Sequence, residues 1–201
     1  MIKSLYLHKE WNGVWPPKEI VDNYKIKCYP PIEGEYISFW ETVYSKTNFK
    51  NVLEIGFNAG HTAHHLISKY NCLLTSVDNC WSTYTPLCLD LLKKEYPTNF
   101  SFIKNSSENV DVVDFNSQFD LIFIDGDHSY HGIRNDLELA YKLKIKYVVF
   151  DDLNMKTTKD VISDLSIKFE MECIFKSTYH GCGINDIGLY SMNLNSNKFL
   201  I

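Results

Sequence analysis

From residue 51 onward the chain alternates short apolar runs with segments of helical period, and this alternation constrains the fold more than any other feature. Asn51–Ile55 reads as a buried strand, and Ala63, Leu66, Ile67 and Tyr70 follow at the i, i+3, i+4, i+7 spacing of one helix face. Cys72–Val77 predicts a second strand, and Leu87, Cys88, Leu91 and Leu92 a second helix. Phe100–Ile103 and the almost wholly apolar Phe119–Ile124 predict a third and fourth strand. Ile133, Leu137, Ala140 and Tyr141 form the next helical stripe, Tyr147–Phe150 a fifth strand, and Val161, Ile162, Leu165 and Phe169 a further helix. No helix separates Glu172–Phe175 from Ile187–Met192, so these read as an antiparallel hairpin closed by the Gly181-Cys182-Gly183 loop. The expected fold is α/β: a Rossmann-like, seven-stranded, mostly parallel sheet with helices on both faces and a C-terminal antiparallel hairpin.

Residues 1–50 are organised differently. Pro16-Pro17 and Pro30-Pro31 interrupt them, Trp11, Trp15 and Trp40 concentrate aromatic area, and Ile37, Trp40 and Tyr44 predict one helix leading into the first strand. We expect 1–50 to form a helical cap on the substrate side and 51–201 the core, within a single domain overall; the 201-residue length suits one domain. The Trp-rich cap also offers a surface for a homodimer.

The formal net charge is −5 and no dense Lys/Arg run occurs, which argues against a nucleic-acid partner. No apolar run approaches the roughly 20 residues of a membrane helix, and the first residues lack the apolar core of a signal peptide. Cys28, Cys72, Cys80, Cys88, Cys173 and Cys182 are scattered without zinc-ligand spacing. The expectation is a cytoplasmic protein with reduced cysteines and no membrane partner.

Two stretches carry chemistry. Glu54-Ile55-Gly56-Phe57-Asn58-Ala59-Gly60 lies between a strand and a helix. There Gly56 permits a tight turn close to a ligand and Gly60 lets the helix begin at once. Asp78 ends the second strand, where a carboxylate can accept both hydroxyls of a ribose lying over the Gly loop. The other stretch is Asp125-Gly126-Asp127-His128, delivered by the fourth strand to the same sheet edge as Asp151-Asp152 from the fifth. Clustered carboxylates repel one another, a bound divalent cation relieves that repulsion, and all-oxygen ligands favour Mg²⁺, Mn²⁺ or Ca²⁺. Of the histidines on the first predicted helix, His61 is placed near the loop and His64 and His65 on the surface.

Together these residues resemble the class I S-adenosylmethionine-dependent methyltransferases, and within them the small metal-assisted O-methyltransferases and related sugar O-methyltransferases. The resemblance runs from about Glu33 to Met192. It implies that Glu54, Gly56, Asn58, Gly60 and Thr62 surround the methionine part of the cofactor, that Asp78 binds the ribose, that Ser106 contacts adenine, and that Asp125 also faces the cofactor. It further implies a metal site of Asp125, Asp151 and Asp152, although Asp152 stands where those enzymes commonly carry Asn. His128 stands three residues after Asp125, the offset of the catechol-type catalytic lysine, so Asp125 and His128 are the expected catalytic pair, with imidazole as the base. The cofactor implied is S-adenosylmethionine, with Mg²⁺ or Mn²⁺ in support, and the acceptor a hydroxyl of a small molecule or glycan. A non-catalytic S-adenosylmethionine binder, an N-methyltransferase on a small amine, aminopropyl transfer and an NAD-linked dehydrogenase remain the competing readings.

Overall fold

The computed structural model describes residues 34–180 and 184–194, together with the single positions 16 and 23. Trp11, Trp15, Cys28, the 181–183 loop and Cys182 therefore lie outside the described residues. In chain order the elements are α1 (Gly34–Thr47), β1 (Asn51–Ile55), α2 (His61–Tyr70), β2 (Leu73–Asp78), α3 (Thr85–Glu95), β3 (Phe100–Lys104), two single 3₁₀ turns (Ser107–Asn109 and Val112–Asp114), β4 (Leu121–Ile124), α4 (Tyr130–Lys142), β5 (Tyr147–Phe150), α5 (Lys156–Ser166), β6 (Glu172–His180) and β7 (Ile184–Ser191).

The strands form one seven-stranded sheet in the order β3-β2-β1-β4-β5-β7-β6. The first five run parallel, and β7 inserts antiparallel between β5 and β6. The expected Rossmann-like sheet with its C-terminal hairpin is what the chain forms. The hairpin strands are longer than their apolar runs suggest, because β6 and β7 continue pairing through the polar residues Lys176–Thr178 and Asn185-Asp186.

Alternation along the strands sends side chains to two cores. Val52, Leu121, Phe123 and Val149 pack with α1, α2 and α3 around Trp40, Phe39 and Leu66, while Leu53, Ile122, Ile124 and Val148 pack with α4 and α5 around Leu137, Val161 and Leu165. The predicted N-terminal helix is α1, but its buried face is Tyr36, Phe39, Trp40 and Val43 rather than the Ile37, Trp40, Tyr44 stripe. Helix α1 lies against β6, so the N-terminal element and the C-terminal hairpin wall the same side of the sheet. Among the described residues no helix is long and apolar enough to cross a membrane.

Register decides where the functional residues meet. Ile55 pairs with Val77 on one side and Ile124 on the other, and Ile124 pairs with Phe150. Each next residue, Gly56, Asp78, Asp125 and Asp151, therefore emerges at the same carboxyl edge, where open α/β sheets bind ligands.

Candidate functional site

A cavity of about 630 Å³ opens at this edge, walled by Gly56, Asn58, Asp78, Trp81, Tyr84, Ser106, Ser107, Asp125 and His128 among others. Gly56 has φ +96°, and a Cβ there would lie 2.1 Å from the Asp125 carbonyl oxygen. The β1 turn can therefore pass β4 only as glycine. This cradle of bare backbone fits a nucleoside laid across the strand ends.

Asp78 is the hub of the loop. One of its oxygens accepts from the Phe57 and Asn58 N–H groups at 2.9 Å each, and the other from Cys80 N–H at 2.6 Å. An ionised carboxylate has about four acceptor sites, so capacity remains for a ribose hydroxyl. Asn58, held at φ +51°, accepts from the Tyr84 hydroxyl at 2.5 Å, which draws the loop after β2 over the cleft. The next turn is tied in as well: Asn105 N–H donates to the Asp78 carbonyl at 3.1 Å, and Ser106 N–H to the Asn105 side chain at 2.9 Å.

Glu54, Gly60 and Thr62 stand behind the cavity wall rather than in it. Glu54 is buried and accepts from the Ser76 hydroxyl and the Ala63 N–H, and burial pushes its pKa up to about 8. Gly60, at φ +77°, starts α2 against the Phe57 ring. Thr62 Oγ1 hydrogen-bonds the Tyr36 hydroxyl at 2.9 Å, joining α2 to α1. His64 and His65 correct the expectation of a surface position: both are buried, at 7% and 9% exposure, because α3 and the aromatic residues Tyr70 and Tyr96 cover that side of α2. Burial depresses the pKa of His65 to about 4 and that of His61 well below its ordinary value.

At the other end of the cavity, His128 lies between two carboxylates. Its Nε2 is 3.8 Å from Asp125 Oδ1 and its Nδ1 3.5 Å from Asp152 Oδ2. One ligand atom from each of Asp125, His128 and Asp152 falls within 4.8 Å of the others, so two oxygens and an imidazole nitrogen could hold a divalent cation. Burial raises the Asp125 pKa, reinforced by the charges of Asp151 and Asp152, a repulsion that a cation would relieve.

Asp151 does not join this set. It is buried, accepts from the Tyr179 hydroxyl and, on Oδ1, from Asp152 N–H, and burial followed by the Asp152 charge moves its pKa to about 7. Asp127 is held by the Ser129 N–H and hydroxyl at 2.9 and 2.8 Å, and those bonds pull its pKa down. It forms the turn that starts α4, where Ser129 in turn accepts from Gly132 N–H.

Sequence reasoning missed Tyr36, Trp81, Tyr84, Asp136 and Tyr179. Trp81 lines the cavity at 89% exposure, and Tyr36 meets Tyr179 edge-on at 5.0 Å. Nothing local singles out Tyr179, which reaches Asp151 only through the hairpin. Asp136 did carry a signal, a carboxylate within the apolar stripe of Ile133, Leu137 and Ala140, and burial pushes its pKa up to about 7.

A family model described as a methyltransferase domain matches residues 53–153, just over half of the chain. No curated protein matches the sequence. Among solved structures, a provisionally assigned RNA methyltransferase from Pyrococcus horikoshii superposes with a TM-score of 0.64 and 16% identity, over 94% of this chain and 95% of its own. An rRNA methylase from Escherichia coli gives 0.57 and 14%, over 79% and 64%. A protein studied for the conversion of a disulfide bond into a thioacetal group during echinomycin biosynthesis gives 0.57 and 12%, over 77% and 82%. At such identities the likeness speaks for the fold alone, and the molecules in these names differ widely.

Proposed function

The chain belongs to the methyltransferase-domain family, and on that premise we propose that it is an enzyme transferring the methyl group of S-adenosylmethionine to a hydroxyl of a small molecule or glycan. The observation that carries the acceptor chemistry is the placing of His128 between Asp125 and Asp152, beside the Gly56 and Asp78 cradle. Gly56, Asn58 and Asp78 seat the methionine and ribose portions, and Ser106 and Ser107 face the base.

The acceptor oxygen attacks the methyl carbon in line with the sulfonium. The new C–O bond forms as the C–S bond breaks, sulfur keeps the electron pair, S-adenosylhomocysteine leaves, and the hydroxyl proton passes to His128. Asp125 and Asp152 flank the imidazole on either side. In a metal-assisted form Asp125, Asp152 and His128 together would hold Mg²⁺ or Mn²⁺, which when bound would lower the pKa of the acceptor hydroxyl in place of the imidazole acting as base. Asp151 stands behind them. Alignment of oxygen, carbon and sulfur contributes more than the base, on the order of 7–11 kcal/mol. The net charge of −5 favours a small acceptor over the phosphate backbone of RNA.

The test is calorimetric titration with S-adenosylmethionine and S-adenosylhomocysteine, with and without Mn²⁺, followed by transfer from methyl-labelled cofactor to a panel of phenols, sugars and amines. Micromolar binding with turnover on hydroxyls, lost in His128→Ala with cofactor binding retained, supports the proposal. Turnover only on amines overturns the acceptor class. Binding with no turnover on any acceptor supports a binding protein instead.

A further inference from the structure

Asp136 sits in the apolar face of α4 among Ile133, Leu137 and Ala140, fully buried. Among the described residues neither of its oxygens makes a hydrogen bond. A buried carboxylate without partners destabilises a fold, and an apolar side chain of similar size would pack the helix better. Asp127 and Glu108 add further negative charge around it.

What lies against Asp136 gives it a use. Helix α4 packs on the 3₁₀ turn Ser107–Asn109. Ser107, on that turn, favours the charged form of Asp136, although among the described residues neither carboxylate oxygen has a closed hydrogen bond. Ser107 also belongs to the cavity wall, whereas Asp136 does not. The preceding residues of this turn are already tethered to Asp78 through Asn105. One side of the turn is therefore fixed, and the other faces a buried acceptor with free capacity.

We propose that Asp136 is a positioning residue for recognition of the cofactor's purine base, acting through Ser107. When the base enters, the Ser107 hydroxyl closes onto Asp136 and locks the turn with the Ser106 and Ser107 backbone directed at the base edge. The inference rests on the S-adenosylmethionine reading above and extends it to a residue that never touches the ligand. A purely packing role has a different signature, since changing Asp136 would then alter stability and leave base preference untouched.

The experiment compares binding of S-adenosylhomocysteine with that of its 6-deaminated, hypoxanthine-bearing analogue. Calorimetry is run on the wild-type chain, Asp136→Asn, Asp136→Leu and Ser107→Ala, with thermal unfolding measured alongside. The wild type should prefer the adenine ligand. Asp136→Leu and Ser107→Ala should each lose about fivefold to tenfold of that preference, the worth of one hydrogen bond, while Asp136→Asn, whose amide oxygen still accepts from a hydroxyl, loses less and Asp136→Leu unfolds no earlier than the wild type. Adding Ser107→Ala to Asp136→Leu should cause no further loss. Unchanged preference in a folded Asp136→Leu variant overturns the inference, as does a wild type that does not discriminate. Should both Asp136 variants fail to fold, unchanged preference in Ser107→Ala overturns it. A wild type that binds neither ligand removes the cofactor reading itself, an outcome distinct from binding without discrimination.

Discussion

The Tyr179 hydroxyl lies 2.9 and 3.0 Å from the two carboxylate oxygens of Asp151, across 28 residues of chain, and donates to them. The contact joins the antiparallel hairpin to the end of β5 and turns one member of an adjacent acid pair away from the ligand cavity. Asp152, held at φ +49°, takes the outward place opposite His128. Tyr179 in turn packs edge-on against Tyr36, whose hydroxyl reaches Thr62 at the start of α2. A chain of contacts thus runs from the hairpin through Tyr179 and Tyr36 to the start of α2 beneath the site.

Removing the Tyr179 hydroxyl should therefore weaken the fold. Tyr179→Phe leaves a buried carboxyl whose one remaining partner among the described residues is the Asp152 N–H, and urea unfolding at pH 7 should show a loss of about 1–3 kcal/mol. In a double-mutant cycle with Asp151→Asn the two changes should be strongly non-additive. Simple additivity would mean that the bond carries no free energy.

The same geometry separates the acids by their response to metal. Asp125→Asn and Asp152→Asn should each lower Mn²⁺ affinity, followed by electron paramagnetic resonance, by more than about a hundredfold. Asp151→Asn should stay within the roughly 10- to 100-fold range of a supporting residue. Equal losses for all three would put Asp151 among the ligands.

Gly56→Ala combines a positive φ with a Cβ 2.1 Å from the Asp125 carbonyl oxygen. The turn must move away from β4, at a cost of at least about 2 kcal/mol, and binding of S-adenosylhomocysteine should be abolished. A variant that binds as tightly as the wild type would remove the β1 turn from the binding site.

Stability should depend on pH through opposed groups. His65 is buried with its pKa lowered from 6.5 to about 4. The unfolded chain takes up a proton below pH 6.5 that the folded chain refuses, so stability falls as pH drops from 6.5 to about 4, at about 1.4 kcal/mol per unit for one group. Glu54, raised from 4.5 to about 8, acts in the reverse sense. The folded chain keeps a proton that the unfolded chain releases, so its contribution falls as pH rises from 4.5 to about 8. Thermal melts across pH 4–8 should show the acid-side slope shallower in His65→Phe and the alkaline-side slope shallower in Glu54→Gln. Identical slopes in wild type and variants would show that neither group titrates as its burial requires.

Sequence determined the architecture here because strand and helix periods are local: Asn51–Ile55, Leu121–Ile124 and Tyr147–Phe150 declare themselves by their own apolar runs. It also placed Gly56, Asp78, Asp125 and the Asp151-Asp152 pair at one edge, since each follows directly on a parallel strand. Whether a side chain at that edge faces the ligand is a different kind of property, set by elements far along the chain. Tertiary structure alone drew Asp151 to Tyr179 and left Asp152 beside His128. It buried Glu54 under α2 and His64 and His65 beneath neighbouring aromatic rings, and it brought Asp136 behind Ser107. The physical reason is that period follows from backbone geometry over a few residues, whereas burial and hydrogen-bond partnership depend on which distant surface closes over the side chain.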